Sequence, residues 1–245
     1  MTILYVNGCS HTAGAELVGP GQVDTSTDPK DDNRKLSWSG QLHSEHFKTW
    51  EYMNNAYSGS NNESIALNTI NDIEQLNLSG KKDIRVLISW TYPGRYHFET
   101  QDNMDFYKSK AKFFIGYDLM GDTQAIPFAE ELWQGLNSFH NELDDQKTFI
   151  RDYTLLSNYL KFNKIKYAMI HFAWYPKPQL ISDRYIHLYK RYEQDPSVLH
   201  NQSAVQWLDH NKHLDNVDGR LGHYTYDAHR VFARSISGKI KQCLG

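Results

Sequence analysis

The chain has 245 residues, a net charge of −3 and no long basic run. That length suits one α/β domain with insertions, and the charge leaves no footprint for nucleic-acid binding. The longest apolar stretches are strand-sized and no basic segment followed by an apolar one opens the chain, so a cytoplasmic protein without membrane contact is expected.

Ile3-Leu4-Tyr5-Val6 predicts a first strand, which runs into Gly8-Cys9-Ser10-His11-Thr12-Ala13-Gly14. A Gly-flanked serine after a first strand lies at the carboxyl edge of a sheet, where open α/β folds bind ligands. Ser10 is therefore a candidate nucleophile, provided a base and oxyanion donors come from elsewhere. The spacing G-x-S-x-x-x-G arises by chance in roughly one protein of this size in ten, so the partners decide.

Residues from Gly19 to Lys35 are rich in Asp, Pro, Gly, Ser and Thr and predict an exposed loop. Trp38, Leu42 and Phe47 are spaced as on a short amphipathic helix. Trp50 to Tyr57 predicts a second strand, ending in Ser58-Gly59-Ser60-Asn61-Asn62. A helix through Ile65, Ile70, Ile73 and Leu76 follows, with Asn61 or Asn62 as its N-cap. Ile84 to Trp90 is the clearest strand and leads into Thr91-Tyr92-Pro93-Gly94-Arg95. Residues 93–128 lack periodicity and predict an insertion. A long helical pattern covers Ala129 to Phe162, and Ile165 to Phe172 predicts a further strand, stopped by Pro176 and Pro178. The tail predicts helices at Ser203–Lys212 and Tyr226–Cys243. Strands alternating with helices predict a single domain over 1–245. The expected architecture is a three-layer α/β/α sandwich around a parallel, flavodoxin-like sheet.

Chemistry is concentrated at three junctions. His223 stands in a turn before the last helix, a place from which an imidazole projects over the sheet edge as a base. Ser58-Gly59-Ser60-Asn61 joins a strand to a helix, where backbone N–H groups face an anion or simply cap the helix. The tail also gathers His210, His213, His223 and His229 with Asp209, Asp215 and Asp218, which leaves a metal site as a competing reading. Cys9 and Cys243 lie near opposite ends and are expected as free thiols. Aromatic residues make up 13% of the chain, enough for some to line a carbohydrate pocket.

The order of these segments resembles the SGNH (GDSL-type) hydrolase family. Ser10 falls on the family's nucleophile, Gly14 closes that block, Gly59 matches the second block and His223 the base, with Ala228-His229 in place of a Gly-His pair. Three positions depart from the pattern. Cys9 replaces an Asp, Thr91 stands where the family has an oxyanion-hole Asn, and Arg220 stands where it has an Asp three residues before the base. The resemblance implies attack by Ser10, His223 as general base then acid, and a backbone oxyanion hole from Ser10 and Gly59. Asn61, Thr91 or Arg95 is left to replace the missing amide. Asp218, Asp215 or a backbone carbonyl is left to orient the imidazole. The implied substrate is a small-molecule or carbohydrate ester, with an O-acetyl sugar in view, and no cofactor or metal is implied. The alternative is an inactive SGNH-like binding or structural protein that keeps the fold.

Overall fold

The computed structural model describes residues 1–15, 17, 31–93, 141–199, 203–211 and 223–245. Among them are four strands, β1 (Ile3–Asn7), β2 (Glu51–Asn54), β3 (Ile84–Trp90) and β4 (Lys166–His171), in the order β2-β1-β3-β4. All pairings are parallel, with Ile3 beside both Glu51 and Ile84, and Arg85 beside Lys166. Every residue of β1 is buried, which is why it reads as an unbroken apolar run rather than an alternating one. Ser197 to Leu199 extends the sheet past β4: the Met169 N–H donates to the Ser197 carbonyl at 2.9 Å and the Leu199 N–H to that of Met169 at 2.8 Å.

Successive strand residues point to opposite faces, so the same strands build two cores. On one face Ile3, Tyr5, Val86, Ile88, Trp90 and Met169 meet α4 (Asn62–Leu78) and a long helix Glu142–Phe162, through Ile65, Ile73, Phe149, Tyr153 and Leu156. On the other, Leu4, Val6, Leu87, Ala168 and Ile170 meet α3 (Trp38–His46) and a final helix Tyr226–Leu244, through Trp38, Leu42, Phe232, Ala233 and Ile240. This is the expected three-layer α/β/α sandwich. Before α3 come α1 (Ser10–Ala13) and α2 (Asp31–Leu36). After α4 come α5 (Glu142–Phe162), α6 (Ile186–Glu193), α7 (Ala204–His210) and α8 (Tyr226–Leu244).

β3 and α8 match their predicted spans closely, and Ser203 caps α7. Three elements differ. β2 ends at Asn54 because that side chain takes over the backbone's bonds: its Oδ1 accepts from the Ala56 N–H at 3.0 Å. The predicted loop reaching Lys35 ends in helix α2, whose Asn33 is buried and donates its side-chain amide to the Leu17 carbonyl. Long-range bonding of this kind carries no periodic signature. α6 has only Tyr189 and Tyr192 as buried residues, too short a stripe to stand out. α5 starts at Glu142 behind the Asn141 cap. The earlier part of its predicted pattern lies outside the described residues, as does all of the 93–128 insertion beyond Pro93. No helix among the described residues is long and apolar enough to cross a membrane. Cys9 and Cys243 are both free.

Candidate active site

Strand order reverses at β1 and β3, so the crevice at their carboxyl ends is the natural ligand site of this sheet. Ser10 stands there as the first residue of the one-turn helix α1. Two glycines make the turn possible. A Cβ on Gly8 would meet the Thr12 Oγ1 at 2.6 Å, and one on Gly14 the Asn33 carbonyl at 2.2 Å, with Gly14 also at φ 79°.

Two asparagines at strand ends lock the same turn. The Gly8 N–H donates to Asn7 Oδ1 at 2.8 Å, while Asn7 Nδ2 reaches the Thr69 hydroxyl of α4 at 3.0 Å. Asn54 Nδ2 donates to the Thr12 carbonyl at 2.8 Å. Ser10 is 6% exposed, and no side chain among the described residues bonds to its hydroxyl.

The second junction packs against the first, the Tyr57 N–H donating to the Gly8 carbonyl at 3.3 Å. Gly59 follows at φ 71°. The two asparagines that compete in the sequence divide the work. Asn61 is the cap of α4, its Oδ1 accepting from the Ser64 N–H at 2.7 Å. Asn62 instead clamps the end of β3, accepting from the Thr91 N–H at 2.9 Å and donating to the Thr91 carbonyl at 3.1 Å. Thr91 itself is fully buried, and its hydroxyl has no hydrogen-bond partner among the described residues. It is an enclosed residue whose backbone is held on both sides by Asn62. Arg95 and Asp218 lie outside the described residues.

His223 arrives from the far end of the chain, two residues before Thr225, whose hydroxyl accepts from the Ala228 N–H and caps α8. Its ring centroid lies 4.8 Å from that of His11, the residue after Ser10. His11 is stacked on Phe172 at 4.4 Å and 15°, and Tyr224 closes the group at 5.5 Å. The structure thus brings Ser10 and His223 to one edge through His11, without a direct hydrogen bond between them. Catalytic hydrogen bonds are often long before substrate binds. Burial, with Asp209 and Tyr92 nearby, pushes the Tyr224 phenol up to about 12, so its hydroxyl stays protonated at physiological pH.

His229 has a different task. It is buried in α8, and its Nδ1 accepts from the Trp38 N–H at 2.9 Å, satisfying a first-turn donor of α3. His171, at the end of β4, is likewise buried and pairs through Nε2 with the Tyr192 hydroxyl at 2.8 Å. Among the described residues no three His, Cys, Asp or Glu side chains gather as for a metal; His213, Asp215 and Asp218 are outside that set. Asn7, Asn54 and His11 escape a sequence reading of the site. An asparagine closing each of two strands was a readable signal, whereas the partners of His11 are remote in sequence.

No family model matches the sequence, and no curated protein matches it. Among solved structures, an active-site mutant of a family two carbohydrate esterase from Clostridium thermocellum aligns with a TM-score of 0.51 at 12% identity. The alignment covers 100% of this chain and 64% of that one. The chain shares the fold of a carbohydrate esterase. It spans about 64% of that protein's length. A second structure of a family two carbohydrate esterase from Clostridium thermocellum, in complex with cellohexaose, aligns at a TM-score of 0.49 and 14% identity, over 100% of this chain and 65% of that one. The psychrotrophic esterase EstA from Pseudoalteromonas sp. aligns at 0.49 and 13% identity, over 99% of this chain and 98% of that one. What the chain shares with that carbohydrate esterase is its fold.

Proposed function

We propose that the chain is a single-domain serine ester hydrolase of the SGNH type, with Ser10 as nucleophile and His223 as base. The observation that carries this reading is the meeting of two segments from opposite ends of the chain. Ser10 heads a rigid turn at the switch point of the sheet, and the His223 imidazole lies one ring away, against His11.

In this mechanism His223 accepts the Ser10 proton as Oγ attacks the ester carbonyl, then donates it to the departing alcohol. Water attacks the acyl-serine with His223 again as base, and Ser10 is released. The tetrahedral oxyanion is bound by the backbone N–H groups of Ser10 and Gly59. With Thr91 enclosed, the Asn61 side-chain amide is the best replacement for the missing family Asn: its Oδ1 is committed to Ser64, which leaves the NH2 end as donor. Arg95 is the further candidate, and Asp218 the candidate for orienting the imidazole. The substrate class is an acylated carbohydrate, in particular an O-acetyl sugar. Its support is Tyr57 and Tyr92, 39% and 36% exposed beside the turns that follow β2 and β3, together with the shared fold.

A fluorophosphonate probe tests the reading. The intact chain is expected to form one adduct at Ser10 and to release acetate from acetylated xylo-oligosaccharides, and Ser10→Ala to do neither. A folded protein that forms no adduct at Ser10 overturns it. That result establishes the alternative of a non-catalytic SGNH-like binding protein, which the departures at Thr91 and Arg220 favour.

A further inference from the structure

We infer that His11 is a positioning residue for His223, an assignment that rests on the catalytic reading above. His11 occupies the second position of α1, so its backbone is set by the same turn that sets Ser10. Its ring lies flat on Phe172, and His223 leans on it at 58°.

Phe172 is a firm base for this arrangement. It is 1% exposed, its N–H donates to the Trp90 carbonyl at 3.0 Å, and its carbonyl accepts from the Val205 N–H at 2.9 Å. Its ring meets Phe232 of α8 edge-on at 5.8 Å. A column of rings therefore runs from the core under α8 through Phe172 and His11 to His223. The nucleophile and the wall that stops the base are adjacent residues of one rigid turn, so any displacement of Ser10 carries that wall with it. His223 lies before the capped first turn of α8, where helix bonding does not set its ring plane. Ring packing does. Orientation of a base relative to its nucleophile is worth orders of magnitude in rate, so a residue that touches no reacting atom still governs turnover.

The test uses the full chain with His11→Ala, His11→Phe and His11→Gln, beside Ser10→Ala and His223→Ala, on 4-nitrophenyl acetate. His11→Ala and His11→Gln are expected to lower kcat by roughly 10- to 100-fold with KM within about threefold, and to slow phosphonylation of Ser10 in parallel. His11→Phe, which restores a flat ring on Phe172, is expected to recover kcat to within about threefold of wild type. If His11→Phe is as slow as His11→Ala, the imidazole nitrogens rather than the ring are needed and the assignment falls. If Ser10→Ala and His223→Ala abolish turnover while His11→Ala and His11→Gln keep it, the assignment falls and the catalytic reading stands. If Ser10→Ala retains turnover, the catalytic reading itself fails. The ring signals of His223 in selectively labelled protein give a readout independent of turnover. They should move farther in His11→Gln, which keeps a polar side chain should His11→Ala fail to fold, than in His11→Phe; no movement in His11→Gln overturns the assignment.

Discussion

Ser10 and His223 reach the same edge of the sheet from opposite ends of the chain, and they are held there by different forces. The Ser10 turn is fixed by directional bonds and by space: Asn7 and Asn54 bond its backbone, and Gly8 and Gly14 allow contacts that no Cβ fits. His223 packs its ring against His11, which in turn rests on Phe172. Hydrogen bonds fix a backbone by direction, whereas rings in contact fix a side chain by shape and contact area. The difference suits the proposed division of labour. A nucleophile must stay where the acyl carbon arrives, and its base must keep its ring aimed at both the serine and the departing alcohol.

The largest expected effect breaks the chemistry on either side without disturbing what holds it. Ser10→Ala and His223→Ala should each lower kcat by roughly 10⁴-fold or more while circular dichroism and Tm stay near wild type. Residual turnover close to wild type in either variant would remove the proposed pair.

Asn61→Asp separates a structural task from a chemical one on the bonded side. An aspartate caps a helix as well as an asparagine does, so stability should hold. Losing the amide donor should lower kcat by about 10²-fold, near 3 kcal/mol of transition-state stabilisation. Unchanged kcat would return the donor role to Arg95 or another group.

Gly14→Ala tests the rigid turn directly. It forces a side chain into φ 79° and onto the Asn33 carbonyl, and should cost about 3 kcal/mol in denaturant unfolding. A comparable change near His223, Tyr224→Phe, keeps the ring and should cost less than about 1 kcal/mol. Equal costs would erase the distinction between the two turns.

Away from both turns, one buried polar group is only half matched. Asp152 of α5 is 1% exposed; its Oδ1 accepts from Arg151 Nε at 2.8 Å, while its Oδ2 has no partner among the described residues. Burial, only partly offset by Arg151, raises this carboxyl from 3.8 to about 6. The folded state thus holds a proton that the unfolded chain releases near 3.8. Its contribution is most favourable below that pH, declines as pH rises towards 6, and remains at its least favourable above it. Asp152→Asn should flatten that slope and raise stability at pH 7 by at most about 3 kcal/mol, measured by urea unfolding across pH 4 to 8. A variant less stable than wild type at pH 7 would show that the charge is compensated after all.

Local pattern alone carried much of this molecule. Short apolar runs rich in β-branched residues, such as Ile84–Trp90, read as strands covered on both faces, and their alternation with helices points to a parallel three-layer sandwich. The positions of Ser10 after β1 and of His223 before α8 follow from the same reading, because a strand end and a helix cap are local events. What Asn62, Thr91, His229 and His11 do was decided only by tertiary structure. Asn62 clamps a strand end 29 residues away, His229 serves a helix 191 residues away, and His11 rests between rings at 172 and 223. Each role depends on which side chains the folded sheet brings within bonding distance, and such proximity leaves no periodic trace along the chain.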